Sequence, residues 1–247
     1  MSTKLDKKEI EKFSRQIILK NIGTLGQKKI LSSKVLIIGM GGLGCPAAEF
    51  LTRSGIGTLG IVDNDNVSLS NLHRQSLFNE KDLKKSKVKI AKKKLNTINS
   101  NTKVNTFNLK LDKKNFKKII KNYDYIIDGT DNFESKFLIN DLSQKHKKFL
   151  LTGAISKFDG HVFTFNFKNK HNPSLRDFYQ EETINDEILN CEYEGILGTV
   201  AGIVGIILGN EVLKNILNIG QNLNGFILIL DLLNLSFRKV KIKKRKK

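Results

Sequence analysis

Apolar residues along the chain fall into short unbroken runs, separated by longer stretches in which they recur every three or four positions. Between residues 7 and 31, Ile10, Phe13, Ile17 and Ile18 have helical spacing on an otherwise polar segment, which predicts that this segment is helical. "KVLIIG" (34–39) is a continuous apolar run ending in glycine, the pattern of a strand buried on both faces. "GLGCPAAEFLTRSG" predicts a helix that stops at Gly55, and "TLGIVD" (58–63) the next strand. A polar loop over 64–76 then leads to a Lys-rich helix at roughly 82–98.

Further along, "YDYIIDGTDN" (123–132) predicts another buried strand, and "KKFLLTGAI" and "GHVFTFNF" two more. From 168 to 192 the chain is polar, holds Pro173 and has few apolar anchors, so a mobile crossover loop is expected there. "GILGTVAGIVGIILG" (195–209) falls short of the roughly 20 residues that span a bilayer, and predicts a buried Gly-rich helix instead. "FILILD" and "FRKVKIKK" close the chain as a β pair. The expectation is one α/β domain over 1–247: a Rossmann-like, mainly parallel sheet with helices on both faces and a C-terminal antiparallel β extension.

Charge changes this picture little. The formal net charge of +19 favours a nucleic-acid or membrane-surface partner if taken alone. Only six of the 43 basic residues are Arg, however, and the chain is rich in Asn and Ile with no Trp. That is a compositional bias spread over exposed faces, whereas a nucleic-acid site concentrates Arg and aromatics. Neither a nucleic acid nor a membrane is expected as a partner. Two cysteines, Cys45 and Cys191, cannot build a disulfide framework, and the charged start "MSTKLDKKEIEKF" does not read as a leader. A cytoplasmic protein is expected.

The candidate chemistry lies at the ends of the predicted strands. Gly39-Met40-Gly41-Gly42-Leu43-Gly44 satisfies G-x-G-x-x-G directly after a strand and before a helix, where backbone N–H groups face a phosphate. Asp63, 19 residues beyond Gly44, is placed to accept bonds from ribose hydroxyls. Asn71 and Arg74 follow in the next loop, Lys87 begins a helix, and Asp131 and Asn132 end the "YDYIIDGTDN" run. Cations converging on a phosphate, beside a carboxylate able to hold Mg²⁺, are the equipment of nucleotidyl or phosphoryl transfer. For each residue singly, a solvated surface charge is the plain alternative. No recognisable catalytic set for hydride transfer accompanies them.

"FSRQI", "GMGGLG", "VDNDNVSLSNLHRQ", "KSKV" and "DGTDN" occur in the order and spacing of the ThiF/MoeB family, and the chain resembles it from about residue 11 to 240. These are E1-like enzymes that adenylate the C-terminal glycine of ubiquitin-like sulfur carriers of the ThiS or MoaD type. The resemblance implies that Gly42 lets the backbone approach ATP and that Asp63 holds the ribose. Ser70, Asn71, Leu72, His73 and Arg74, with Lys87, would bind the triphosphate; Asp131 would engage Mg²⁺ and Asn132 shape the pocket. Arg15 would reach the phosphates of the neighbouring subunit's ATP, which makes a homodimer part of the expectation.

Cys191, in "NCEYEGILG", aligns with a cysteine that some relatives link covalently to the activated carrier. A reactive thiolate before the Gly-rich helix and an inert, partly buried thiol both remain open there. Cys45 reads as core. The segments "HNPSLRDFY" and "KIKKRKK" lack the two C-x-x-C pairs with which many family members bind zinc, so no zinc site is expected. His146, His161 and His171 are scattered and read as surface residues, and His73 as a backbone or phosphate contact. A separate sulfurtransferase or cysteine desulfurase would have to supply sulfur.

"GCPAAEFL" and "SLFNEKDL" lean towards the thiamine-type relatives, with the choice between thiamine thiazole and molybdopterin synthesis left open. The alternatives are an NAD(P)-binding oxidoreductase, a tRNA-modifying member of the same superfamily, and a non-catalytic binding partner.

Overall fold

The computed structural model describes residues 5–179 and 195–245. Among them, eight strands form one sheet in the order β3-β2-β1-β4-β5-β6-β7-β8. β1 (Lys34–Ile38), β2 (Thr58–Val62), β3 (Lys103–Phe107), β4 (Tyr125–Asp128) and β5 (Phe149–Ser156) run parallel. β6 (Asp159–Asn166), β7 (Phe226–Asp231) and β8 (Ser236–Lys241) continue antiparallel. The expected α/β sheet with an antiparallel extension is therefore present.

Alternate residues of the parallel strands feed two cores. Val35, Ile37, Leu59, Ile61 and Leu151 pack under α4 (Gly44–Arg53), α5 (Lys87–Ile98) and the long helix α9 (Gly198–Leu217). Leu36, Ile38, Ile126 and Leu150 pack under α6 (Lys113–Ile119) and α7 (Phe133–Lys145). Burial on both faces is why β1 is an unbroken apolar run. β8 is exposed throughout, in keeping with a strand that runs into a solvated basic end.

The N-terminal segment is helical, in three pieces. It divides into α1 (Lys7–Lys12), α2 (Ser14–Ile17) and α3 (Gly23–Ser32), with Gly23 at φ +57 allowing the last break. Only Phe13 of the apolar series is buried, and Ile10 and Ile18 are 47% and 68% exposed.

α5 starts five residues later than its lysines predict, because tertiary pairing claims residues 84–86. Val67 N–H donates to the Lys85 carbonyl at 2.9 Å, Lys84 N–H to the Val67 carbonyl at 2.8 Å, and Asn66 bridges Ser86. Those residues are tied to the loop after β2 and cannot wind into a helix.

Residues 168–179, the described part of the crossover, are anchored rather than loose. The short helix α8 (Leu175–Phe178) buries Leu175, and Arg176 donates to both Asp141 carboxylate oxygens at 2.8 and 2.7 Å. Asp177 also accepts Arg245 N–H at 2.8 Å, fastening the C-terminal strand's end to the crossover. The rest of the predicted loop, 180–192, lies outside the described residues.

α9 is 20 residues long, longer than its apolar run and by length and composition long enough to cross a membrane. It lies across α4, β5 and β6 and buries Val200, Ala201, Val204, Leu208 and Val212. It ends at Asn218, whose left-handed φ of +56 caps the last turn.

Candidate functional site

The chain order reverses on either side of β1, so the loops after β1 and β4 part there and leave the crevice in which such sheets bind ligands. Three loops meet at this edge.

The first is the glycine turn between β1 and α4. Gly39 has φ +88, and a Cβ there would lie 2.8 Å from the Gly129 carbonyl oxygen; one at Gly44 would lie 1.9 Å from that of Gly39. No other residue fits either position. The N–H groups of Gly41, Gly42 and Leu43 have no hydrogen-bond partner among the described residues and stand at the positive end of α4. A Cβ at Gly41 would meet nothing nearer than Gln75 Nε2 at 3.9 Å, whereas at Gly42 it would lie 3.0 Å from Ala201 Cβ and 3.4 Å from the Arg74 stem. The open approach is at Gly41, and α9 and Arg74 close in at Gly42.

The second loop follows β2. Asp63 Oδ2 accepts Met40 N–H at 2.7 Å and Oδ1 accepts Asp65 N–H at 2.8 Å, which ties the carboxylate to the glycine turn. Burial raises its pKa above the ordinary 3.8, with the Lys87 charge pulling the other way. Beyond it, Leu69–Asn71 forms a single 3-10 turn, and the Asn71 carbonyl accepts Arg74 N–H at 3.1 Å and Gln75 N–H at 3.0 Å. The segment is thus a short helical turn rather than extended loop. Ser70 and His73 are exposed, Asn71 is half-buried, and Leu72 packs against the first core. Arg74 folds back on the turn, donating to the Ser70 carbonyl at 3.0 Å beside the His73 ring nitrogen at 2.7 Å.

Lys87 joins this group through Asp65: Nζ donates to Oδ2 at 2.8 Å, and the lysine is only 5% exposed.

The third loop leaves β4 and packs through Gly129 against Gly39. Asn132 caps α7, accepting Ser135 N–H at 2.9 Å, and Asp131 is exposed, its one side-chain hydrogen bond among the described residues being from the Asn132 amide to Oδ1 at 3.3 Å. Beneath them is a buried ion pair. Asp128 Oδ2 accepts from Lys136 Nζ at 3.2 Å and from the Thr152 hydroxyl at 2.5 Å, while Oδ1 takes Thr130 N–H at 3.0 Å. Lys136 also donates to the Gly153 carbonyl at 2.7 Å.

Arg15 does not join the other candidates within this chain. Its neighbours Phe13 and Gln16 pack at Gly55 and Ser54, the end of α4 away from the glycine turn. A ten-residue helix is about 15 Å long, so Arg15 stands far from Arg74 and Lys87 of the same chain. Cys45 is fully buried, as read, with its thiol pushed up to about 12 by that burial. Cys191 lies outside the described residues. His171 is exposed, and His146 and His161 are half-buried.

Asp65, Gln75, Asp128 and Lys136 are absent from the sequence-based candidates. Only Asp65 has a local signal, two positions beyond Asp63; the Asp128–Lys136 contact depends on how α7 packs over β4 and β5.

Fold and site define a nucleotide-binding α/β protein, with free N–H groups, a tethered acid and two cations around one turn. The chain belongs to the ThiF family, whose model matches residues 13–247. It is 40% identical over 98% of its length to a probable molybdopterin-synthase adenylyltransferase of Gracilaria tenuistipitata var. liui, and spans 67% of that protein. To the protein of the same description in Porphyra purpurea it is 43% identical over 95% of its length, spanning 61% of the relative. To a sulfur carrier protein adenylyltransferase of Thermus thermophilus it is 34% identical over 96%, spanning 89%. The fold matches the crystal structure of PaaA with a TM-score of 0.84 at 24% identity, over 98% of this chain and 86% of that one. It also matches E. coli MccB with ATP, at 0.82 and 21%, over 94% and 72%.

Proposed function

We propose that the protein is an ATP-dependent adenylyltransferase that activates the C-terminal glycine of a ubiquitin-like sulfur carrier. The observation that carries this is the chain of contacts joining Gly39–Gly44, Asp63, Asp65 and Lys87 at one sheet edge, with Arg74 closing over Gly42. The relatives described as molybdopterin-synthase adenylyltransferases favour the molybdopterin carrier over the thiamine-type lean of "GCPAAEFL" and "SLFNEKDL".

In the reaction, a carboxylate oxygen of the carrier's terminal glycine bonds to the α-phosphorus of ATP. The bond from that phosphorus to the bridging oxygen breaks, and pyrophosphate leaves with the electron pair, giving an acyl-adenylate. The protein's part is positioning and charge. Asp63 accepts from the ribose, the N–H groups of Gly41 to Leu43 face the phosphates, and Arg74 and Lys87 offset their charge. Ser70, Asn71 and His73 border the same phosphates, and Asn132 holds the Asp131 loop in place. Asp131, exposed and nearly unengaged, fits a hard cation that prefers oxygen. Mg²⁺ held there would neutralise charge on the triphosphate.

A homodimer completes the site in this reading. Arg15 is too far from Arg74 and Lys87 of its own chain, and apolar side chains on the packed helices α4 and α9 remain exposed, Phe50 by 45%, Ile203 by 37% and Ile206 by 39%. The second subunit would cover them and bring Arg15 to the phosphates. A separate sulfurtransferase or cysteine desulfurase would supply sulfur to the adenylate, in the cytoplasm, and Cys191 would act only at that later stage.

ATP–pyrophosphate exchange with carriers ending in Gly-Gly tests the reading. Exchange should require a carrier, vanish in Asp131→Ala and survive in Cys191→Ala. Exchange without any carrier, or none with molybdopterin-type and thiamine-type carriers alike, would overturn it.

A further inference from the structure

Gln75 is a buried polar residue at this edge whose side chain has no hydrogen-bond partner among the described residues. It is 3% exposed, its Oε1 has no hydrogen bond, and none is formed by its Nε2 among the described residues. Oε1 is enclosed, and an enclosed acceptor without a donor is unfavourable, so a native structure rarely leaves one without a reason; Nε2 is not enclosed and keeps its two donors open to a ligand. Other buried polar atoms are unpartnered too, but most belong to hydroxyls, which lose less and rotate freely.

The position of the amide indicates its use. Nε2 is the nearest atom to the open side of Gly41, 3.9 Å from where a Cβ would be. The backbone of residue 75 is fixed at both ends, its N–H donating to the Asn71 carbonyl at 3.0 Å and its carbonyl accepting Phe78 N–H at 3.0 Å. Arg74 covers Gly42 from the same turn, so adjacent residues flank adjacent glycines. The backbone that carries the amide is fixed before any ligand arrives, which lowers the entropy lost on binding.

We propose that Gln75 is a nucleotide-binding residue: its unpaired carboxamide beside Gly41 donates from Nε2 to the polyphosphate held over the glycine turn. The proposal rests on ATP being the nucleotide. A hydrogen bond from a neutral amide to a charged phosphate oxygen is of the stronger kind, and here it replaces no existing partner.

Binding of ATP and of adenosine to the full-length protein, measured by titration calorimetry, separates this role from packing. Gln75→Met keeps the volume and removes the amide. The variant should melt no lower than the parent, bind ATP roughly tenfold more weakly, and bind adenosine, which has no phosphate, as the parent does. Gln75→Asn withdraws the amide by one carbon and should lose ATP affinity in the same direction. ATP affinity within about twofold of the parent, equal losses for ATP and adenosine, or failure of both variants to fold would overturn the proposal. A parent that binds no ATP would instead overturn the adenylyltransferase reading, and this one with it.

Discussion

Lys87 Nζ lies 2.8 Å from Asp65 Oδ2, so the lysine read as a phosphate ligand is already held by a carboxylate. The pair is unequal: the Lys87 side chain is 6% exposed and that of Asp65 58%. Asp65 holds the Lys87 ammonium at the sheet edge, where a triphosphate would share it. Lys87→Ala leaves behind only an exposed acid, so the fold should survive while pyrophosphate exchange falls at least about a hundredfold. Asp65→Asn strands the buried cation; the free protein should melt lower, and Mg·ATP should raise its melting temperature by more than it raises the parent's. Equal gains in the two proteins would show that Asp65 and the nucleotide do not share Lys87.

A pH dependence follows from Asp63. Its folded pKa is raised above 3.8, chiefly by burial, so the folded protein takes up this proton more readily than the unfolded chain does. The cost of burying the charge is present above the folded pKa and disappears as pH falls below the unfolded one. Ribose binding has the opposite sign, since only the ionised acid accepts from both hydroxyls. The ratio of ATP affinities, parent to Asp63→Asn, should therefore fall with decreasing pH, beginning above 3.8. Taking the ratio cancels the titration of ATP itself, and a flat ratio would exclude Asp63 as the ribose acceptor.

The buried pair Asp128–Lys136 predicts a stability effect. The two side chains are 1% and 7% exposed, and Lys136→Met would leave the carboxylate buried without its cation. Breaking such a pair costs about 3–5 kcal/mol. The low end is expected, because donors from Thr130 and Thr152 remain. Adding Asp128→Asn should recover part of the loss, a coupling that denaturant unfolding of the double-mutant cycle measures directly. Additive losses would mean that the two groups do not interact.

How much of this was legible in the sequence depends on the range of the contact. The glycine turn, Asp63 and the strand ends announce themselves within a few residues of one another, because backbone geometry demands glycine there and strand burial demands apolar runs. Lys136 does not: in a chain this rich in lysine, a buried one looks like its solvated neighbours until α7 is packed. The breaks at Phe13 and Gly23 escape for a related reason, since Ile10 and Ile18 keep a helical period without being buried by the fold. Residues 168–179 read as loose because they have few apolar anchors, yet Arg176–Asp141 and Asp177–Arg245 fasten them through polar contacts that leave no periodic trace.

Cys45 provides a test of the turn's rigidity. It lies one position beyond Gly44, is fully buried, and its Sγ donates to the Met40 carbonyl at 3.4 Å. Desolvation is the main reason its thiol is pushed up to about 12, so almost no thiolate exists near neutral pH. Alkylation of the folded protein at mildly alkaline pH should leave the Cys45 peptide unmodified by mass spectrometry, with full labelling in concentrated guanidinium chloride. Because the thiol faces the protein rather than the crevice, ATP should not change the outcome. Labelling of Cys45 in the folded protein at close to the unfolded rate would mean that the Gly39–Gly44 turn opens, and that the N–H groups of Gly41 to Leu43 are not held in place for a phosphate.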